Sequence, residues 1–166
     1  RLDLRVGKVV KVEKHPDAES LYVEQIDLGE PTGPRTVCSG LVKHMPMEAI
    51  DGQLLVIVCN LKPVKMRGVT SQAMVLCANT PEAVEFVRPP AGATPGTPVY
   101  FEGFEDQAAT DQPLNPKKKV FESIQPLLKT DDQRQAAYFG TDGRVRLLRT
   151  KEGVCQADTL VGAAIR

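Results

Sequence analysis

Lys62, Lys65 and Arg67 place three cations within six residues, inside the stretch Asn60-Leu-Lys-Pro-Val-Lys-Met-Arg-Gly-Val-Thr-Ser-Gln-Ala-Met74. Ammonium and guanidinium groups crowded on a short segment suit phosphate oxygens, because each neutralised phosphate of a nucleic acid releases condensed counterions. Pro63 and Gly68 restrict and turn the backbone here. Asn60 and Ser71 add hydrogen-bonding groups for a sugar–phosphate backbone or base edges, and Met66 has the shape to wedge against a base or sugar. The plainer alternative is a solvated loop tip kept soluble by its lysines.

Other cations extend or compete with this patch. Arg5 and Lys11 fall on outward positions of the first strand, and Lys117-Lys118-Lys119 is the strongest charge run in the chain. Read as the first turn of a helix, that run sits at the positive end of the helix dipole, which is unfavourable for folding and points to phosphate contact instead. Catalytic groupings are thin. His15 and His44 each lie beside a proline-containing turn without a nucleophile partner, and Ser39 in Cys-Ser-Gly is not the Gly-x-Ser-x-Gly elbow of hydrolases. Lys65-Met66-Arg67-Gly68 is similar to the KMSKS loop of class I synthetases, but it lacks both the companion HIGH-type motif and a nucleotide-binding unit. Cys38, Cys59, Cys77 and Cys155 show no metal-ligand spacing and read as reduced core residues of a cytosolic protein. The chain reads as a binding module, not an enzyme, with no cofactor and no metal.

The elements that must carry these residues are short strands. Leu54–Cys59 reads as a buried strand and Met74–Ala78 as its partner, so the cations sit on a connection between two strands. The first strand alternates over about a dozen residues, with a fault at Gly7-Lys8-Val9 that predicts a bulge. Strands follow at 21–28 and 35–40, then one or two helical turns at 46–50. Five strands with a bent first member and a helix before the fourth predict an all-β OB fold, a five-stranded Greek-key barrel. Asp106 to Leu114 reads as a linker. Asn115-Pro116 reads as the start of a helix with Val120, Phe121, Ile124 and Leu128 on one face. Ala136–Phe139 and Val145–Leu148 read as a hairpin. Residues 1–106 are therefore expected to form the barrel. Residues 107–166 are expected to form an α+β extension packed on it, too small to stand alone.

Composition narrows the partner. The chain is formally neutral, with 11 Lys and Arg against 14 Asp and Glu in residues 1–106 and 10 against 7 in residues 107–166. A nucleic-acid surface must then be a local patch, not a general basic field. Aromatic residues make up only 5% and there is no Trp, so stacking of single-stranded bases gives way to recognition of folded RNA through its backbone. No run is long and apolar enough for a membrane helix.

Over nearly its whole length the chain resembles the tRNA-binding domain of endothelial-monocyte-activating polypeptide II and its relatives fused to eukaryotic tyrosyl- and methionyl-tRNA synthetases. The resemblance rests on Leu2-Asp-Leu-Arg-Val-Gly7, His15-Pro-Asp-Ala-Glu-Ser-Leu-Tyr-Val23, Ser39-Gly-Leu41, Asn60 through Met74, Pro89-Pro90 and Pro116-Lys-Lys-Lys119. It implies an OB-fold domain whose C-terminal extension mimics a dimer interface and keeps the domain a monomer. It also implies largely sequence-independent tRNA binding that delivers tRNA to an attached or associated aminoacyl-tRNA synthetase. Ser39, Asn60, Ser71 and Met74 match recurring motif positions, and Lys62, Lys65 and Arg67 match the basic loop. Some relatives act as released cytokines through the segment matching Arg5-Val-Gly-Lys8-Val-Val10. That makes a protein-interaction or signalling module the competing expectation.

Overall fold

The computed structural model describes residues 2–104 and 119–166. In chain order the strands are β1 Leu4–Lys14, β2 Tyr22–Asp27, β3 Arg35–Ser39, β4 Leu54–Val58, β5 Val64–Met66, β6 Val69–Ser71, β7 Met74–Val75, β8 Cys77–Asn79, β9 Val84–Phe86 and β10 Pro98–Phe101. A 3₁₀ turn at Met47–Ala49 precedes β4. After the short helix α1, Val120–Ile124, come β11 Leu128–Thr130, β12 Ala136–Phe139, β13 Val145–Thr150, β14 Gly153–Val154 and β15 Ala164–Ile165.

Strand β1 organises the molecule because it is apolar on both sides. Leu4 and Val6 enter one core with Val56, Val58, Leu128 and Leu148. Val9 enters a second core with Ile26, Val37, Ile57 and Phe86. Gly7 faces this second core, where an added Cβ would lie 2.6 Å from Ile26 Cγ2 and 2.8 Å from Ile57 Cγ1. The glycine is thus a packing requirement. The register fault falls later than the sequence predicts, between Val9 and Lys11, and leaves Val10 49% exposed. The swapped polarity at Gly7-Lys8-Val9 marks the change of core, not the bulge.

Three ladders grow from β1. It pairs with β4 from Leu4↔Val58 to Lys8↔Leu54, with β2 from Lys8 to Lys14, and with β10 at Leu4↔Val99 and Arg5↔Pro98. The main sheet runs β3-β2-β1-β10-β13-β12-β11-β15-β8-β9, with β14 on β13 and β4 joining β1 to β7. The fold is all-β with one short helix among the described residues. The sheet is not closed into a five-stranded barrel. Where β3 meets the chain after β6, the contacts are isolated bonds: Gln72 N–H donates to Thr36 O at 2.8 Å and Cys38 N–H to Ser71 Oγ at 3.0 Å. A run of two or three residues between turns is too short to propagate a ladder there.

The C-terminal residues are woven into the same sheet. β13 pairs with β10, β15 pairs with β8, and Phe121, Leu128, Ala136 and Leu148 cover the Leu4–Val6 side of β1. Residues 136–139 and 145–150 form the expected hairpin. Phe121 is buried, but Pro126 ends α1 in a 3₁₀ turn and Leu128 belongs to β11. Asn115-Pro116 and the expected linker from Asp106 to Leu114 lie outside the described residues. No described helix is long and apolar enough to cross a membrane.

Candidate nucleic-acid interface

The basic segment is a β-hairpin, not a loop. β5 and β6 pair as Val64↔Ser71, Lys65↔Thr70 and Met66↔Val69, apart from the main sheet. Arg67 and Gly68 make the two-residue turn with φ of 52° and 90°. Positive φ at both positions matches the primed turn whose twist suits a hairpin. Glycine takes that conformation freely, while Arg67 is held in it.

Four side chains fix this hairpin. At its base, Arg35 Nη1 donates to Cys59 O at 2.6 Å and to Gln72 O at 3.2 Å, gripping the chain on both sides of the segment. Asn60 is buried, and its Oδ1 accepts the Asp3 N–H at 2.9 Å. Ser71 is also buried; its Oγ accepts the Cys38 N–H and donates to Ala73 O, both at 3.0 Å. At the tip, His15 Nδ1 accepts the Asp17 N–H at 2.9 Å. The proton must then sit on Nε2, which donates to Met66 O at 2.8 Å. His15 has no nucleophile to serve. It is a latch.

On this frame Lys62, Lys65 and Arg67 are exposed and Met66 is half-buried. No Asp or Glu occurs between Asp51 and Glu82. Among the described residues none of the three cations is in an ion pair. Their charge is available to a ligand.

The other candidates are placed differently. Arg5 forks onto Asp3 at 2.7 and 3.0 Å and reaches Glu30 at 3.3 Å. Arg35 bonds the same Glu30 through Nε and Nη2, both at 2.8 Å. Hydrogen bonding to Asp3 raises the Arg5 pKa further, and the bond from Arg35 holds Glu30 below the usual carboxylate range. Lys11 is exposed, 3.9 Å from Glu13 across open solvent, a pairing worth little. Lys14, exposed and adjacent to the His15 latch, extends the cationic surface past the hairpin tip. Lys119 is exposed and precedes α1 with a φ of 47°, so it is not in the helix's first turn. Lys117 and Lys118 lie outside the described residues.

Ser39 and Met74 are half-buried and line one wall of a cleft of about 240 Å³ between β3 and β7–β8. Glu24, on β2 opposite Val37 of β3, is fully buried. Desolvation pushes its pKa up to about 7, opposed by hydrogen bonding from the neighbouring Ser39 side chain. The four thiols are free and buried; burial pushes Cys59, Cys77 and Cys155 up to about 12.

The structure places Lys65, Met66 and Arg67 on one hairpin, Lys62 just before it, and Asn60 and Ser71 at its base. Sequence reasoning missed Arg35, His15 and Glu24. A lone arginine beside a proline, a histidine in a turn and a glutamate in an alternating strand all read as solvent-facing. Only the tertiary pairing shows what they hold.

Residues 4–98 match the tRNA_bind family model, described as "Putative tRNA binding domain". Aminoacyl tRNA synthase complex-interacting multifunctional protein 1 of Mus musculus is 50% identical over 100% of this chain and 51% of its own length. The cytoplasmic methionine–tRNA ligase of Caenorhabditis elegans is 48% identical over 100% of this chain and 17% of that protein. The chain thus spans about half or less of the curated relatives it matches. Among solved structures, the C-terminal domain of Plasmodium vivax p43 superposes with a TM-score of 0.91 at 31% identity, covering 100% of this chain and 97% of that one. With the family model covering more than half of its residues, the chain belongs to the tRNA_bind family of tRNA-binding domains.

Proposed function

We propose that this chain is a non-catalytic tRNA-binding module that raises the local concentration of tRNA for an aminoacyl-tRNA synthetase, attached to it or associated with it in the cytoplasm. The observation that carries the reading is the hairpin: three exposed cations, without ion pairs among the described residues, on and just before a two-stranded ribbon clamped at base and tip. In this reading Lys62, Lys65 and Arg67 neutralise phosphates, and Lys11, Lys14 and Lys119 add weaker contacts. Asn60, Ser71 and Arg35 hold the ribbon in shape, with Arg5 fixing the same base through Asp3. Membership of the tRNA_bind family, the synthetase and synthetase-complex relatives, and their cytoplasmic naming support it. Tethering to a catalytic domain would make each tRNA encounter intramolecular.

Residues 1–106 are read as an OB-type unit and 107–166 as an extension covering the apolar side of β1 and β4. The family model ends at residue 98, which supports that division. The covered face gives the isolated domain no reason to dimerise through it. The competing signalling reading finds less support, because in the segment 5–10 only Lys8 and Val10 are exposed.

A gel-shift titration of bulk tRNA and of single-stranded oligomers at two salt concentrations tests the function. Tighter binding of tRNA, with a log–log salt slope of about 3 or more, is expected if several phosphates are neutralised. A flat salt dependence, or equal affinity for unstructured oligomers, would remove the proposal.

A further inference from the structure

The sequence discounts base stacking, yet the fold collects aromatic side chains in one place. The chain has three Tyr and five Phe, and four of them, Tyr100, Phe101, Phe104 and Tyr138, line a single groove of about 250 Å³. Tyr100 and Phe101 end β10, whose pairing with β13 brings the β12–β13 hairpin alongside. Tyr138 of β12 stands opposite Arg146 of β13, and its ring centroid lies 5.7 Å from that of Phe101 at a tilt of 54°. The chain then turns at Gly103, with a φ of 92°, and Phe104 N–H donates to Phe101 O at 3.0 Å. That turn leaves the Phe104 side chain 39% exposed.

Arg146 completes the groove and has no anion of its own. Its guanidinium sits 4.8 Å from the Phe104 ring centroid, and Nη1 donates to Glu102 O at 3.0 Å. The Glu102 carboxylate faces Arg149 at 3.5 Å instead. Arg146 is in no ion pair among the described residues. Of the three phenol hydroxyls only that of Tyr22 is hydrogen-bonded among the described residues, to Met45 O at 2.7 Å, so those of Tyr100 and Tyr138 are unused. Open rings, free phenols and an unpaired guanidinium suit a planar ligand that carries both a π-face and an anion.

The groove also adjoins the base of the cationic hairpin. Leu2 and Leu4 line it. Between them Asp3 accepts the Cys59 N–H at 2.8 Å and donates its own N–H to Asn60 Oδ1 at 2.9 Å. Leu2 and Leu61 pack on the same core. One strand spacing, about 5 Å, therefore separates this wall from the residues that lead into Lys62.

We propose that the groove stacks one unpaired nucleotide of an RNA held by the hairpin, its base against Tyr138 and Phe104 and its phosphate on Arg146. The volume falls below the roughly 300–1,000 Å³ of clefts for drug-sized ligands, which suits a single base. The proposal rests on the RNA-binding reading for its setting, but the groove is testable without RNA. Every base has a π-face, so this contact adds affinity for an unpaired nucleotide without adding sequence preference. An apolar peptide side chain would use the same rings but leave Arg146 unpaired, and continuity with the cationic hairpin favours the polyanion.

The test titrates the full chain with adenosine 5′-monophosphate, adenosine, ribose 5-phosphate and N-acetyl-phenylalanine amide, followed by NMR of the Tyr138 and Phe104 ring protons and the Arg146 amide. The nucleotide should move these signals saturably at millimolar concentration, with the upfield ring shifts of stacking. Adenosine, lacking the phosphate, should bind about fivefold more weakly, and ribose 5-phosphate, lacking the base, should leave the ring protons unmoved. Phe104→Ala, which removes an exposed ring, and Tyr138→Leu should each weaken nucleotide binding at least about fivefold, with circular dichroism reporting an unchanged fold. In gel shifts with tRNA, Phe104→Ala should lower affinity about fivefold and leave the salt slope as it was, because no phosphate contact is lost. Absence of nucleotide shifts, equal binding of N-acetyl-phenylalanine amide, or an undiminished nucleotide response in both ring variants would each overturn the groove. A variant with Lys62, Lys65 and Arg67 all changed to Ala should keep the nucleotide response. If that variant also keeps full tRNA affinity, the hairpin reading fails while the groove stands.

Discussion

Two groups of cations lie within the same few strands and have opposite roles. Arg5 and Arg35 are half-buried and spend their guanidinium groups on Asp3, Glu30 and backbone carbonyls. Lys62, Lys65 and Arg67 stand on the hairpin in a stretch without a single carboxylate between Asp51 and Glu82. Local supply of acid decides the difference. Where Asp3 and Glu30 are at hand, arginine becomes part of the scaffold. Where none is near, the charge remains for a polyanion. The first group builds the base from which the second projects.

The sharpest way to break this comparison is to remove the free set. Changing Lys62, Lys65 and Arg67 together to Ala should weaken tRNA binding by about 100- to 1,000-fold near 0.1 M salt, about 3–4 kcal/mol. The salt slope should fall by about 2–3. Thermal stability should hold, because none of the three side chains is buried or paired within the described protein. A large loss of melting temperature with little loss of affinity would reverse the assignment of roles.

Carboxylates show the same contrast from the acidic side. Glu30 has two arginine partners and titrates below the usual range; Glu24 has none and is raised to about 7 by desolvation. For Glu24 the folded pKa exceeds the ordinary value of 4.5, so its favourable protonated form is present in full below that value. Stability is lost as pH rises from about 5 through 7, by at most about 3 kcal/mol. Glu24→Gln should remove that decline, so that denaturant midpoints of the variant stay level where the native chain weakens. For Glu30 the sign inverts: its contribution is present above the ordinary carboxylate value and lost as pH falls below it. Glu30→Gln leaves Arg35 without its anion and should cost about 2 kcal/mol at pH 7, with the difference shrinking in acid. Equal pH profiles for the two variants would deny that partnering separates these residues.

How much of this was legible in the chain follows the same division between local and tertiary information. Alternation in residues 2–12 gave the bent first strand, yet it could not show that Leu4 and Val6 serve one core and Val9 another. That depends on Leu128 and Leu148 arriving from more than a hundred residues away. The cation cluster was visible as composition, and Gly68 as a turn, but hairpin pairing in so short a segment carries almost no periodic signal. Lys65 and Thr70 alternate with Val64, Met66 and Val69 over only three residues a side. Glu24 was hidden for a plainer reason. A glutamate within a strand reads as the outward residue, and its burial shows only in the tertiary packing.

The latch at the hairpin tip offers the smallest and most diagnostic change. His15→Ala deletes the bond to Met66 O and leaves Asp17 N–H without its acceptor, while every hairpin cation and all three clamps at the base remain. Loss of one such hydrogen-bonded group costs about 1 kcal/mol. Part of that should appear as faster amide exchange at Met66 to Val69, the rest as tRNA affinity lowered by about fivefold or less. The salt slope is the deciding quantity: the same phosphates are contacted by a less ordered ribbon, so the slope should match the native chain. A slope reduced as far as in the triple hairpin variant would mean that His15 positions the charges themselves, and the tip latch would then rank with the base clamps.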